Sequence, residues 1–200
     1  MNKIPITLIY TRLLLGVCIL LLSIVQIDHY NVIAVVLFAT GLLTDIFDGI
    51  IARRLNVSSP QLRRMDSTID QVFFIMVAIA TYIQCREFFY NNAVKLAILL
   101  GTEALTYVVS FIKFKKEVAT HAIASKVWTL ILFATLIQIM VACKAPALFQ
   151  WCFYVGMLSR LEIIAILLFL REWTNDVPSV YHAILLRKGK AIKRHKLFNG

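Results

Sequence analysis

Charge is scarce in this chain. Only 16% of the 200 residues are charged, and just eleven are acidic. Soluble domains carry about 25% charge and about 45–50% apolar residues. Here hydrophobic residues make up 60% and the mean hydropathy is +0.79. That imbalance excludes a disordered chain, a fibrous protein and an ordinary soluble enzyme. Glycine is also rare, at seven residues, so no Gly/Ser linker divides the chain. The four cysteines (Cys18, Cys85, Cys143, Cys152) show no CxxC spacing and no histidine partner, which argues against a zinc site. Single cysteines in apolar helices read as packing residues. A polytopic membrane protein is what remains.

Six apolar stretches are present, over residues 5–27, 31–51, 65–84, 93–112, 119–143 and 148–170. Each is close to the ~20 residues that cross ~30 Å of hydrocarbon as a helix. The first is too long for a signal-peptide core and lacks a small-residue cleavage site, so it reads as a span. The net charge of +10 is unevenly placed. With the N-terminus inside, the cytoplasmic side receives Lys3, Arg53, Arg54, Arg63, Arg64, Lys113, Lys115 and Lys116. It also receives Arg187, Lys188, Lys190, Lys193, Arg194 and Lys196, while the outside keeps Arg86, Lys95 and Lys144. Positive loops stay inside, so both termini are expected in the cytoplasm. In a membrane protein this excess points to anionic lipids rather than nucleic acid. The expected architecture is an all-α, six-transmembrane-helix bundle over residues 1–172 with a basic cytoplasmic tail over 173–200. Within that tail, 181–196 either lies along an anionic membrane surface or is a solvated segment that only fixes topology.

Four of the eleven acids, Asp45, Asp48, Asp66 and Asp70, fall inside or at the ends of the second and third spans. A lone carboxylate at mid-bilayer costs ~2.5–3.5 kcal/mol even on the gentlest scale. Four together also repel one another, so something positive must sit among them. Asp45 and Asp48 are three apart and Asp66 and Asp70 four apart, so each pair projects from one helix face. A short loop joins the two helices, which puts the pairs opposite each other at the cytoplasmic end. Hard oxygen donors without His or Cys suit Mg²⁺, Mn²⁺ or Ca²⁺ rather than Zn²⁺. Helix capping and pairing with Arg53, Arg54, Arg63 and Arg64 is the structural alternative, but it does not explain two same-face pairs. Gly49 and Ala52 share the acidic face and leave a slot, with Arg53 at its edge. A metal, a slot and an arginine suit a diphosphate, while close helix packing alone would also account for the two small residues.

The run Asp45-Ile46-Phe47-Asp48-Gly49-Ile50-Ile51-Ala52-Arg53, then Leu62, Asp66 and Asp70, resembles the signature of the CDP-alcohol phosphatidyltransferase family, D-x2-D-G-x2-A-R-x8-G-x3-D-x3-D. Seven of its eight fixed positions match, and Leu62 stands where the family has glycine. The resemblance implies a membrane transferase of phospholipid biosynthesis that moves a phosphatidyl-type group from CDP-diacylglycerol to an alcohol and releases CMP. It implies Mg²⁺ or Mn²⁺ held by Asp45, Asp48, Asp66 and Asp70, contact of Gly49, Ala52 and Arg53 with the CDP part, and Asp70 as the general base. It also implies a homodimer. The segment Ser110-Phe111-Ile112-Lys113-Phe114-Lys115-Lys116-Glu117 is similar to one that binds the acceptor's phosphate in several members. Ser125-Lys126-Val127-Trp128-Thr129 is similar to the G-K-x-K-T run of the glycerophosphate-using branch, with Ser for Gly and Trp for Lys. Lys113, Lys115 and Lys126 are therefore candidates for an acceptor phosphate, with glycerol 3-phosphate the first expectation and inositol phosphate or serine open. Positive-inside topology explains Lys113 and Lys115 as well.

Residues 4–12 are similar to the family's P-N-x-L-T-x-x-R start, with Ile6 in place of Asn. Arg12 either lines the site from the first span or reaches to the headgroups. His121 reads as a polar end residue. Glu103 and Glu162 are expected to bond between helices or to pair with Arg160 or a neighbour. Two competing functions stay open: a cation-coupled transporter using the aspartates, and a degenerate family member that binds CDP-lipid without turnover, motivated by Leu62.

Overall fold

The computed structural model describes residues 4–54, 60–116, 118, 122–190 and 192, and within these the side chains other than those at 4, 52–54, 60, 61, 63 and 64. Among the described residues every regular element is helical: α1 (Ile4–Val25), α2 (Tyr30–Arg54), α3 (Pro60–Gln84), α4 (Arg86–Asn91), α5 (Ala93–Phe114), α6 (Ile123–Ala142), α7 (Pro146–Phe169) and α8 (Val180–Arg187). Six are long and apolar enough to cross a membrane: Pro5–Val25, Tyr30–Ile51, Met65–Gln84, Ala93–Phe114, Ile123–Ala142 and Pro146–Phe169. These agree with the six spans expected from sequence to within a few residues. α3 opens with Pro60 in its first turn, where the missing N–H costs nothing. Lys3, Glu117, His121, Lys193, Arg194 and Lys196 lie outside the described residues, as do the side chains of Arg54, Arg63 and Arg64. Large apolar side chains such as Leu14, Leu21, Leu130 and Leu158 are all more than half exposed. No water-soluble surface tolerates so much; on an integral, multi-pass membrane protein these groups face lipid.

The chain forms two compact units, one of residues 1–89 with 136–144 and one of 90–135 with 145–200. In the first, α1 packs along both α2 and α3. The buried positions of α1 are Pro5, Ile9, Arg12, Gly16, Ile19 and Ser23, a stripe that steps by three and four. α2 continues the same rule with Tyr30, Ala34, Phe38, Gly41 and Asp48, and α3 with Ile69, Phe73, Val77 and Ala80. That spacing keeps one face of each helix toward its neighbours. Phe73 is the centre of this layer. It contacts Phe38 with ring centroids 5.8 Å apart, and a Cβ on Gly41 would lie 2.3 Å from its ring. A Cβ on Gly16 would meet the same ring at 3.0 Å. Two glycines on different helices thus clamp one phenylalanine, one turn below Asp70. Gly41→Ala should lower stability by about 1–3 kcal/mol, the usual cost of overpacking, read as a drop in thermal midpoint of the purified protein; an unchanged midpoint would show that the ring is not clamped.

The same unit corrects one expectation. Cys85, just after α3, and Cys143, just after α6, form a disulfide across 58 residues of sequence, so they are not the lone packing cysteines that their spacing suggested. Only the meeting of two helix ends creates the pair. Cys18 and Cys152 are free. Denatured, unreduced protein should therefore show two reactive thiols and reduced protein four, counted by maleimide mass shift.

In the second unit α5 packs on α7, and α7 on α8. Ala122, Ile163, Ile166, Leu167, Leu170, Val177 and Ala183 form its core, with Val180 and Leu186 packed against it. The first part of the expected tail is therefore docked by α8's apolar face, and Arg187, Lys188 and Lys190 stay exposed.

Candidate active site

Asp45 and Asp48 continue the inner stripe of α2, and Asp66 and Asp70 flank the start of that of α3. All four converge on one side chain of α1. Arg12 Nη1 lies 3.2 Å from Asp45 Oδ1 and 3.0 Å from Asp66 Oδ1, and it also pairs with Asp70 Oδ1. Arg12 Nη2 pairs with Asp48 Oδ2. The arginine is 1% exposed, so it lines the site and does not reach to the headgroups. Its place on the inner stripe explains the choice: lipid-facing positions of α1, such as Leu14 and Leu21, lie on the opposite side. Here is the positive charge that four carboxylates in an apolar helix pair require.

Asp48 is the deepest carboxylate, its side chain 3% exposed, while Asp45, Asp66 and Asp70 are 37%, 30% and 31% exposed. One acid anchors the cluster and three open outward, as a site that must receive a ligand needs. One carboxylate oxygen from each of Asp45, Asp48 and Asp66 lies within 4.8 Å of the other two. A donor set of hard oxygens at that spread fits a small divalent cation. Gly49 follows Asp48 in α2, and Leu62, half-buried, sits one turn before Asp66 in α3. The side chains of Ala52 and Arg53 lie outside the described residues, so their place in a nucleotide slot stays an expectation.

The candidate acceptor residues belong to the other unit. Lys113 Nζ donates to the carbonyls of Leu167, 2.9 Å, and Leu168, 2.7 Å, capping the end of α7. Lys115 lies over the Phe111 ring and Lys116 over Trp173. Lys126 is exposed on the second turn of α6. Glu103 Oε2 accepts from Arg160 Nε at 2.6 Å, the pairing that the sequence suggested for Glu103. Trp128, which stands where the glycerophosphate-using pattern has lysine, carries the Arg160 guanidinium 3.6 Å from its ring centroid. Its Nε1–H donates to the Cys152 carbonyl at 3.0 Å. A Cβ on Gly156 would lie 2.6 Å from that nitrogen, so glycine is what lets the indole in.

The sequence profile of CDP-alcohol phosphatidyltransferases matches residues 2–164, most of the chain. The chain belongs to this family. Over 75 residues it is 39% identical to the CDP-diacylglycerol–serine O-phosphatidyltransferase of Bacillus subtilis (strain 168). That stretch is 37% of this chain and 40% of the relative, so the chain matches about two fifths of the relative's length. No solved structure matches it. Arg12 was the residue that sequence reasoning left undecided; its signal was the similarity of residues 4–12 to the family's start.

Proposed function

We propose that this protein transfers a phosphatidyl-type group from a CDP-linked lipid to the hydroxyl of a small polar acceptor and releases CMP. The convergence of Asp45, Asp48, Asp66 and Asp70 on one point carries this reading. Divalent ions, Mg²⁺ or Mn²⁺, held by these carboxylates would offset the charge of the diphosphate and of departing CMP. Gly49, Ala52 and Arg53 are assigned to the CDP part. Asp70 takes the proton from the acceptor hydroxyl. The oxygen then bonds to the β-phosphorus while the bond from that phosphorus to the bridging oxygen breaks, and the electron pair leaves with CMP.

Serine is the acceptor to test first, because the Bacillus relative is named for it. The replacement of a lysine by Trp128 within the glycerophosphate-type run supports the same order. Glycerol 3-phosphate is second, supported by the Lys113, Lys115 and Lys126 pattern. Purified protein with CDP-diacylglycerol and Mn²⁺, offered labelled serine, glycerol 3-phosphate and inositol phosphate, tests the reading by CMP release and product. CMP release with one acceptor upholds it; donor binding without turnover favours the degenerate reading. Cation flux without CMP release favours the transporter.

We further infer that the carboxylates open to the cytoplasm. The lysine and arginine asymmetry supports this. The disulfide supports it independently: Cys85 lies about 28 Å along helix from Asp66, a membrane's thickness away, and disulfides persist on the oxidising side. The family reading also carries a homodimer, which crosslinking in membranes would test.

A further inference from the structure

We propose that Arg12 is a built-in competitor of the divalent ions and sets the metal affinity of the site. The proposal rests on the metal reading above. Arg12 Nη1 is shared by Asp45, Asp66 and Asp70, and Nη2 is taken by Asp48. A Mg²⁺ ion demands carboxylate oxygens at about 2.0–2.1 Å. It would draw on the same carboxylates that the guanidinium holds. Each acid keeps a second oxygen, but a buried guanidinium charge among the four opposes any further cation, so metal binding competes with Arg12 for the same negative charge. The arginine is suited to giving way. Its Nε is buried without a hydrogen-bond partner among the described residues, and the contacts they give its guanidinium are to the carboxylates. It is also suited to resisting, because burial at 1% exposure keeps it among the acids and away from water. In this role one positive charge stabilises the cluster during insertion, when four bare carboxylates would oppose it. Divalent ions, when bound, would supply that counter-charge instead.

The competition predicts a sign that a supporting role does not. An arginine that only orients the aspartates would, on removal, weaken metal binding. A competitor, on removal, strengthens it. The test is Mn²⁺ binding to the full-length protein in detergent, followed by the electron paramagnetic resonance signal of free Mn²⁺. Arg12→Gln should bind Mn²⁺ at least about tenfold more tightly than the parent, a change of about 1.4 kcal/mol. Arg12→Lys should fall between them, since a point-charge ammonium cannot reach four carboxylates in a fork. In chelator the thermal midpoint of Arg12→Gln should lie below the parent's, and Mn²⁺ should raise it by more. If Arg12→Gln does not fold, Arg12→Lys decides alone: tighter Mn²⁺ binding supports the proposal. Equal or weaker binding in the folded variant overturns it and makes Arg12 a positioning residue. A parent that binds no Mn²⁺ overturns the metal reading itself, a failure distinct from the first.

Discussion

Asp70→Asn should cut CMP release by about 10²–10⁴-fold, the usual loss when a general base is removed, while the protein still inserts and still binds CDP-lipid. The expectation follows from placement. Asp70 is on the inner face of α3, its side chain 31% exposed and paired with the Arg12 guanidinium. Its carboxylate oxygen is the group that would accept the acceptor's proton. Asparagine keeps the shape and loses the proton acceptor. Because Asp70 is also assigned to the metal set, the assay belongs at saturating Mn²⁺, with Mn²⁺ affinity measured on the same sample. A large fall in turnover at full metal occupancy separates the base from the ligand. Substantial residual activity there would end the assignment of Asp70 as base, and full recovery at higher Mn²⁺ would leave it a ligand only.

Most of the fold was legible because a membrane imposes one element and one length. The six apolar stretches were recovered as helices, and the four acids stood out because nothing apolar explains them. What stayed hidden was which way each helix faces. α1, α2 and α7 are apolar nearly all round, so the lipid face and the packed face read alike and no period shows. Gly16 and Gly41 became meaningful only when both were found against the Phe73 ring. Arg12 was undecidable for the same reason: its neighbours Leu13 and Leu14 do not reveal which side is buried. The Cys85–Cys143 pair was invisible because its partners meet through the ends of α3 and α6. Sequence order puts α2 beside α3. The structure adds that α1 packs against both, so the carboxylate pairs meet around an α1 side chain instead of across a bare two-helix seam.

Exhaustive chelation should abolish CMP release, and Mn²⁺ or Mg²⁺ should restore it. Among the described side chains, four carboxylates face the single guanidinium of Arg12, a formal surplus of three negative charges at the proposed site of the diphosphate. Without added cations that field opposes both substrate binding and the charge that develops on departing CMP. Asp48→Asn locates the effect. Asp48 is the buried anchor of the oxygen cluster, 3% exposed, whereas its partners Asp45 and Asp66 are about a third exposed and free to adjust. An asparagine there keeps one oxygen donor but removes a full charge from the least hydrated position, where charge is worth most. The Mn²⁺ concentration giving half-maximal activity should rise by at least about tenfold, the factor equivalent to 1.4 kcal/mol. The rate at saturating metal should fall less than in Asp70→Asn. A titration of activity against free Mn²⁺ for the parent and the two variants checks both statements. The same curve for Asp48→Asn and the parent would remove Asp48 from the metal set, and full activity after chelation would remove the metal altogether.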